Sequence, residues 1–419
     1  MGPLYIKVGQ ILATRPDFVS EATRDELARL NDRVEEQPFE EFEPVLAEEL
    51  GEDWRSIFSS VETRQPLGTA SLAQVYSATL HDGTPCVIKV QRPEAGEAVR
   101  GDMRVLRRTV GWIARMTPRF SEVVDLPAMV DLLFDVMRDE LDFTREAANM
   151  KKARKATKAY KRISVPKVLL AKPRVLVQTL AEGVAINRLE VDQLTRKQRK
   201  RLAEELMDFM LRSYLISGRF HADPHPGNIL VSPSGKAHII DWGMVGKIDR
   251  STQHAVLGIF LGLAANDGEI AAANWISLGY PTRRAQVRGF ARDVSRVIPR
   301  WSHSTLGELN YGVALLGVLK SSTRRRIQTA PVISILGKSL ANMEGSVRFI
   351  YPDLKLSKSI AGTLEDVTRH VLASSFSQEL NAARLVGLLR AGEKGGLQGQ
   401  SLLDELSSGG VRVQARGGS

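Results

Sequence analysis

The chain has 419 residues, 43% apolar and 25% charged, which is the balance of a globular protein able to bury a core. At about 100–200 residues per packed unit this length accommodates two or three units, and the single cysteine, Cys86, excludes an internal disulfide and any multi-cysteine zinc site. Fifty-eight basic against forty-eight acidic residues leave a net charge of +10, which favours anionic partners such as a nucleotide or a phospholipid surface.

Residues 1–60 read as helices, with Thr23 and Glu26 as a capping box and Leu27, Leu30 and Val34 as an apolar stripe. The start lacks a charged segment followed by an apolar one, and no apolar run reaches the roughly 20 residues of a membrane span. A cytoplasmic chain is therefore expected. Next comes Leu67–Tyr76, in which the small residues Gly68, Thr69, Ala70 and Ser71 let backbone N–H groups approach phosphate oxygens, although this is not a G-x-G-x-x-G loop. A turn at His81-Asp82-Gly83 leads into a β-branched strand, Pro85–Val90. Alternation puts Val87 and Lys89 on one face and Cys86, Ile88 and Val90 on the other. An apolar side chain beside an ammonium suits a purine lying next to its own phosphates.

From Met129 to Ala148 the spacing predicts a helix with Val130, Leu133, Phe134, Met137 and Leu141 on one side. It carries Glu140, Asp142 and Glu146. Glu146 is taken as the partner of Lys89, although spacing alone does not select it over a solvated surface acid. Strands are expected around 165–179, and Gln178-Thr179-Leu180 reads as a hinge, followed by Gly183 as a break. Thr195-x-x-Gln198 then opens a long helix with Leu202, Leu206, Phe209 and Met210 facing inward.

That helix leads to the most informative stretch of the chain. Residues 221–228 read His-Ala-Asp-Pro-His-Pro-Gly-Asn, and Asp241-Trp242-Gly243 follows. Phosphoryl transfer needs one carboxylate to orient the attacking hydroxyl and oxygen ligands to hold Mg²⁺ on the phosphates. H-x-D-x-x-x-x-N followed by D-x-G supplies both: Asp223 for the nucleophile, Asn228 and Asp241 for the metal. Ile229–Val231, a Pro-Ser-Gly turn and Ala237–Ile240 form a hairpin with the candidate metal ligands at its ends. A lone octapeptide of this kind is as often a turn, but the hairpin and the second aspartate argue against that.

Helical patterns dominate from 251 to about 390, and Phe376, Leu380, Leu385, Leu388 and Leu389 make an amphipathic helix. The stretch 391–419 holds eight glycines and is expected to be disordered. Basic residues cluster at Lys151, Lys152, Arg154, Lys155, Lys158, Lys161 and Arg162, and again at Arg196–Arg201. Solvated helix faces explain these clusters most simply, and a membrane-facing patch is the functional alternative. No stacking aromatics accompany the charge, so nucleic acid is not expected.

Taken together the motifs resemble the UbiB family of atypical protein-kinase-like proteins, over roughly residues 1–355. Lys7-Val8-Gly9-Gln10 resembles the family's K-x-G-Q motif, residues 67–76 its alanine-rich nucleotide loop, Glu140–Glu146 its E-x-D-x-x-x-E motif, and His221–Asn228 its catalytic loop. Ala341-Asn342-Met343-Glu344-Gly345 to Tyr351-Pro352-Asp353 resembles the family's late helix and its exit.

The resemblance implies an α+β, two-lobed kinase-like fold. A helical extension (1–60) would cover the cleft, followed by an N-lobe (61–180), a C-lobe (181–355), and C-terminal helices with a flexible tail (356–419). It implies ATP or ADP and Mg²⁺ as cofactors. Lys89 would lie on the phosphates and be held by Glu146, Asp223 would act on the nucleophile, and Asn228 and Asp241 would bind the metal. Gly68, Thr69, Ala70, Ser71, Val75, Val87, Thr179 and Leu180 would line the nucleotide site, and Lys7 and Gln10 would enter the cleft, with Lys7 near Glu140 and Asp142. It further implies a role in isoprenoid-quinone biosynthesis or lipid handling, peripheral to a membrane.

Several departures stand out. Gly-Thr-Ala-Ser replaces Ala-Ala-Ala-Ser in the loop, leaving the choice between ATP and ADP open. Trp242 replaces a phenylalanine, and Thr179 stands where an acid is expected, so purine contacts there would fall to the backbone. His225 stands where protein kinases place a lysine, which argues against protein substrates. The K-x-G-Q motif lies close to the chain's start, so a short or truncated extension is expected. Two other functions fit the same residues: a nucleotide-gated scaffold without catalysis, and an antibiotic or metabolite phosphotransferase.

Overall fold

The computed structural model describes residues 35–117, 124–301 and 311–375, together with Leu4, Tyr5, Val8, Gly9, Leu12, Thr23 and Glu26. The expectations for Lys7, Gln10, the 27–34 stripe, the 376–389 helix and the 391–419 tail lie outside these residues. Kinase-like and of the α+β class, the fold begins with an antiparallel sheet. Its path is β1 (Phe58–Val61), β3 (Ala73–Leu80), β4 (Pro85–Gln91), β7 (Val175–Thr179) and β6 (Val168–Ala171), with β2 (Gly68–Thr69) beside β3.

Alternation along the strands separates two environments. Tyr76, Ala78, Cys86, Ile88, Val90, Val175 and Val177 point to one face and pack on Phe39, Phe42, Trp54 and helix α1 (Glu43–Leu50). Cys86 is fully buried there and its thiol is pushed up by burial, so it packs as a small apolar side chain. The opposite face presents Val75, Val87 and Lys89 towards the rest of the molecule. This first core reaches back to Phe39, ahead of the boundary read at residue 60. The helical reading of 1–60 also stops short, because Phe58–Val61 pairs with β3 as an edge strand.

Helix α2 (Ala95–Met116) precedes α3 (Leu126–Glu140) and α4 (Phe143–Thr157). The sequence pattern merged α3 and α4 into one helix. The break falls at Leu141-Asp142 because the Asp142 carboxylate turns back to accept the Thr144 N–H, an N-cap that starts a new helix. The chain then makes β5 (Ile163–Ser164), the last two sheet strands and β8 (Val184–Ala185). Gly183 marks the crossing at φ +113, where an added Cβ would collide with the Val231 carbonyl.

Helix α5 (Arg196–Arg212) starts on a complete capping box between Thr195 and Gln198, a device worth about 1 kcal/mol. It buries Leu202, Leu206, Met207, Phe209 and Met210, then loosens into a π-turn at Ser213–Ser217. Short strands follow: β9 (Arg219–His221), β10 (Ile229–Val231), β11 (Ala237–Ile239) and β12 (Val245–Lys247). β10 and β11 form the expected hairpin, and β12 pairs with β9, closing the loop between them.

Helices α6 (Arg250–Ala264), α7 (Gly268–Ile276), α8 (Val287–Trp301), α9 (Tyr311–Arg324), α10 (Val332–Ile350) and α11 (Leu356–Ser375) complete the described chain. The helical reading of this region missed one strand pair, β13 (Gly279–Pro281) with β14 (Ile327–Thr329). These short strands lie far apart in the chain, with no hairpin turn between them to mark the pairing. The exposed cations Lys151, Lys152, Lys155, Lys158 and Lys161 lie on α4 and the turn after it, whereas Arg162 is half-buried and paired with Glu205. No helix among the described residues is long and apolar enough to cross a membrane.

On α10, Glu344 is fully buried and accepts the Gly312 N–H of α9 at 3.0 Å. Burial pushes its carboxyl from 4.5 up to about 8, against the Gly312 and Tyr311 N–H groups and Arg348. Between those two values the folded chain keeps a proton that the unfolded chain releases, so stability falls as pH rises through this window. The slope approaches about 1.4 kcal/mol per pH unit. Glu344→Gln is expected to remove that fall, so its melting temperature should gain on the parent's between pH 5 and 8. Parallel melting profiles across that range would refute the assignment.

Candidate active site

The middle strand of the sheet delivers the lysine. β4 pairs with β3 and β7 so that Lys89 sits opposite Val75 on one side and Leu176 on the other. Its ammonium lies 2.9 Å and 3.1 Å from the two Glu146 carboxylate oxygens and 3.2 Å from Asp241 Oδ1. The Phe143 ring is 5.3 Å away. Glu146 is 3% exposed and Lys89 17%, so the Glu146 charge depends on the ammonium, which Asp241 also holds. Burial disfavours the Lys89 ammonium, but Asp241 and Glu146 outweigh it and hold the group well above its ordinary value. Burial likewise raises the Glu146 carboxyl, with Lys89 opposing.

The loop after β9 is organised by a neutral histidine. His221 is buried, which lowers its pKa. Its Nδ1 accepts the Asp223 N–H at 3.1 Å and its Nε2 lies 3.1 Å from the Ile240 carbonyl, which requires the proton on Nε2. One ring therefore ties the 221–228 loop to the residue before Asp241. The Asn228 amide donates to the Asp223 carbonyl at 3.1 Å, so its side-chain oxygen is the atom left to accept. Asp241 adopts φ +56, a left-handed conformation that aspartate tolerates better than most residues. Trp242 turns inward against the edge of His221, with centroids 4.8 Å apart. Its indole N–H donates to the Ile239 carbonyl, and its own carbonyl accepts from Asn149 of α4.

Asp223 is gripped from a distant helix. Lys338 Nζ lies 2.9 Å from Asp223 Oδ2, and the Asn342 amide donates to Oδ1 at 2.6 Å. Ser339 donates to the His221 carbonyl and Ser346 to the Pro224 carbonyl. Residues 338, 342 and 346, with 339 beside them, share one face of α10, which therefore braces the loop along its length. Sequence reasoning passed over Lys338. The available signal was a lysine between Ile335-Leu336-Gly337 and Ser339-Leu340, in the interior of a buried apolar helix.

Other expected residues are distributed as follows. Gly68 and Thr69 form β2, and the Ala70 N–H closes a turn onto the Ala73 carbonyl beside Ser71. Val75 and Val87 share the Lys89 face. At the hinge, the Thr179 N–H donates to the Lys167 carbonyl and the Leu180 N–H to the Pro85 carbonyl. The Thr179 hydroxyl accepts the Lys167 N–H. The two backbone N–H groups left to the purine are thus used within the sheet, because Thr179 ends a strand and remains in its ladder.

Asp142 is engaged as the α4 cap and lies 3.6 Å from Arg145. Glu140 lies at the Gly243 corner: a Cβ on Gly243 would meet Asp241, Glu146 and Glu140 at 3.3, 3.6 and 3.8 Å. Near the chain's start, Leu4 is buried with Leu72, Val130 and Phe134, and Val8 packs against the same cluster, beside the nucleotide-loop segment.

Mg²⁺ fits this donor set. Asn228 offers a hard amide oxygen and Asp241 a carboxylate, and the Lys89 ammonium faces two carboxylates, Glu146 and Asp241. Among the described residues no group of three or more His, Cys, Asp or Glu side chains could hold a metal.

Residues 29–274, well over half of the chain, match the ABC1 atypical kinase-like domain. Over 368 residues the chain is 32% identical to a protein described as probable protein kinase UbiB from Pseudomonas paraeruginosa, covering 85% of this chain and 68% of that one. Its counterpart in Pseudomonas fluorescens SBW25 is 31% identical over 408 residues, covering 93% and 75%. Among solved structures, a Mycobacterium tuberculosis protein described as the Rv3197–erythromycin complex aligns with TM-score 0.53 and 26% identity, covering 83% of this chain and 92% of that one.

The buried ion pair makes a coupling prediction. Lys89→Met is expected to destabilise the chain by about 3 kcal/mol, since it strands the buried Glu146 carboxylate, and Glu146→Gln by less, since Asp241 still holds the ammonium. The double variant should cost less than the sum by at least about 1 kcal/mol. Urea denaturation of the four proteins measures this, and strictly additive losses would mean that the pair is not coupled.

Proposed function

Because the chain belongs to the UbiB family of ABC1 atypical kinase-like proteins, we propose that it binds ATP with Mg²⁺ and transfers the γ-phosphoryl group to water or a small acceptor. In this reading it supports isoprenoid-quinone biosynthesis or lipid handling at an anionic membrane surface. The observation that carries the reading is the meeting of Lys89, Glu146 and Asp241, residues 57 and 152 positions from the lysine in sequence, at hydrogen-bond distance. A structural ion pair would need only one carboxylate; a second, 47% exposed, suits a site where a phosphate or a metal takes over part of the lysine's contact.

In this mechanism Lys89 binds phosphate oxygens while Glu146 keeps its ammonium aimed. Val75 and Val87 cover the base from the lysine's side of the sheet. Asp223 orients the attacking hydroxyl and takes up its proton, a role typically worth 10²–10⁴-fold. Bound Mg²⁺, held by Asn228 and Asp241, would neutralise charge on the β- and γ-phosphate oxygens. The exposed lysines at 151–161 would meet anionic lipid, at about 1 kcal/mol each near the surface. Lys7 and Gln10 would extend into the cleft and exclude a bulky protein substrate.

Asp223→Asn is expected to lower ATP turnover at least about 100-fold while leaving nucleotide affinity nearly intact. Asp241→Asn is expected to abolish the Mg²⁺ dependence of nucleotide binding. Phosphate release and binding of a fluorescent nucleotide, each with and without anionic vesicles, make the measurement. Parent-like turnover by Asp223→Asn would put the chemistry elsewhere. A parent that binds but never turns over would favour the nucleotide-gated scaffold.

A further inference from the structure

We infer that Lys338, supplied by α10 from far along the chain, is the cation that stabilises the transferring phosphoryl group. This rests on the ATP-turnover reading of the site and names a residue which that reading lacks. A loose phosphoryl-transfer transition state carries charge on its equatorial oxygens, and positioned ammonium or guanidinium groups that meet it are worth large rate factors. The lysine that protein kinases place two residues after the catalytic aspartate is here His225. That side chain cannot do the work, since its Nδ1 turns back to accept the Gly227 N–H at 3.1 Å, capping the Pro226–Asn228 turn.

Lys338 occupies the vacated role by a different route. Its Nζ is 2.9 Å from Asp223 Oδ2, and both side chains are only about one-fifth exposed, Lys338 at 19% and Asp223 at 18%. An ammonium has three donors, and among the described residues Asp223 is its one hydrogen-bond partner. Two donors therefore remain beside the carboxylate that receives the nucleophile. Asn342 holds the other carboxylate oxygen, which fixes the geometry of the pair. Lys338 stands on a helix that otherwise buries Ile335, Leu336, Leu340 and Met343, so its ammonium is held at the Asp223 carboxylate rather than free in solvent. Residue 338 also lies beyond the stretch, 29–274, that matches the ABC1 domain.

In hydrolysis, the water oxygen forms a bond to the γ-phosphorus as the bond to the β–γ bridging oxygen breaks. The electron pair leaves with ADP, and the water proton passes to Asp223 and then to the product phosphate. Lys338 gives up no proton; it meets the charge on the γ-oxygens throughout.

The test uses the full chain with Mg-ATP. Lys338→Met is expected to lower kcat at least about 100-fold, with nucleotide affinity within threefold of the parent and a cooperative melting transition, shifted down because Asp223 loses a partner. Lys338→Arg should recover part of the rate. Lys338→Cys should be inactive until aminoethylation rebuilds an ammonium at that position; Cys86 is buried and should not react. Parent-like turnover in Lys338→Met, or an aminoethylated variant that folds yet stays inactive, overturns the inference while Asp223→Asn still reports on the site. If the parent itself shows no turnover, the ATP reading fails and this inference with it.

Discussion

One ammonium on the central strand holds the working corner of this molecule together. Lys89 reaches a carboxylate on α4 and another beyond the β10–β11 hairpin, so sheet, helix and hairpin share a single charge. Taking Glu146 to 3% exposure is costly unless its partner is in place. The strand register decides whether it is. A shift of one residue would turn Lys89 into the apolar face where Ile88 and Val90 now pack, and Val87 and Val75 would turn with it. The packing of Tyr76, Cys86 and Ile88 on the far side of the sheet therefore also sets the position of the ammonium.

The second half of the site is braced differently. The 221–228 loop has little secondary structure of its own, and its polar groups are satisfied from two sides. His221 links it to the Asp241 segment, while α10 contacts it through Lys338, Ser339, Asn342 and Ser346. The π-turn before β9 brings Tyr214 onto Ser339, so the helix that enters the loop also meets the helix that supports it. A loop held at so many points is confined to few conformations, so the Asp223 carboxylate keeps one place.

Between these halves, Trp242 fills the space behind the Asp-x-Gly turn. Its ring packs on His221 and its carbonyl is held by Asn149, one helical turn from Glu146 on α4. The helix that carries the lysine's partner and the segment that carries the candidate metal ligand are thus joined directly. A displacement of α4 would be felt at Asp241 through Asn149 as well as through Lys89.

Local chemistry made much of this readable in advance. The capping box at Thr195, the β10–β11 hairpin, the Lys89 strand and the order of the motifs depend on neighbours a few residues apart, and the linear chain displays those. The split between α3 and α4 did not show, because the apolar stripe runs on through Leu141 while the Asp142 cap leaves no gap in the pattern. The β13–β14 pair did not show, because its short strands lie far apart in the chain with no hairpin turn joining them, unlike β10 and β11. Thr179 looked available for a purine because nothing in a hinge tripeptide reveals that its N–H groups are already in a ladder. Lys338 stayed hidden because its partner lies 115 positions away. Sequence alone determined which chemical groups the chain possesses and which of them lie on common local elements. Only the tertiary structure decided which carboxylate each lysine meets, since pairing of buried charges is set by the packing of whole helices and sheets, not by adjacency along the chain.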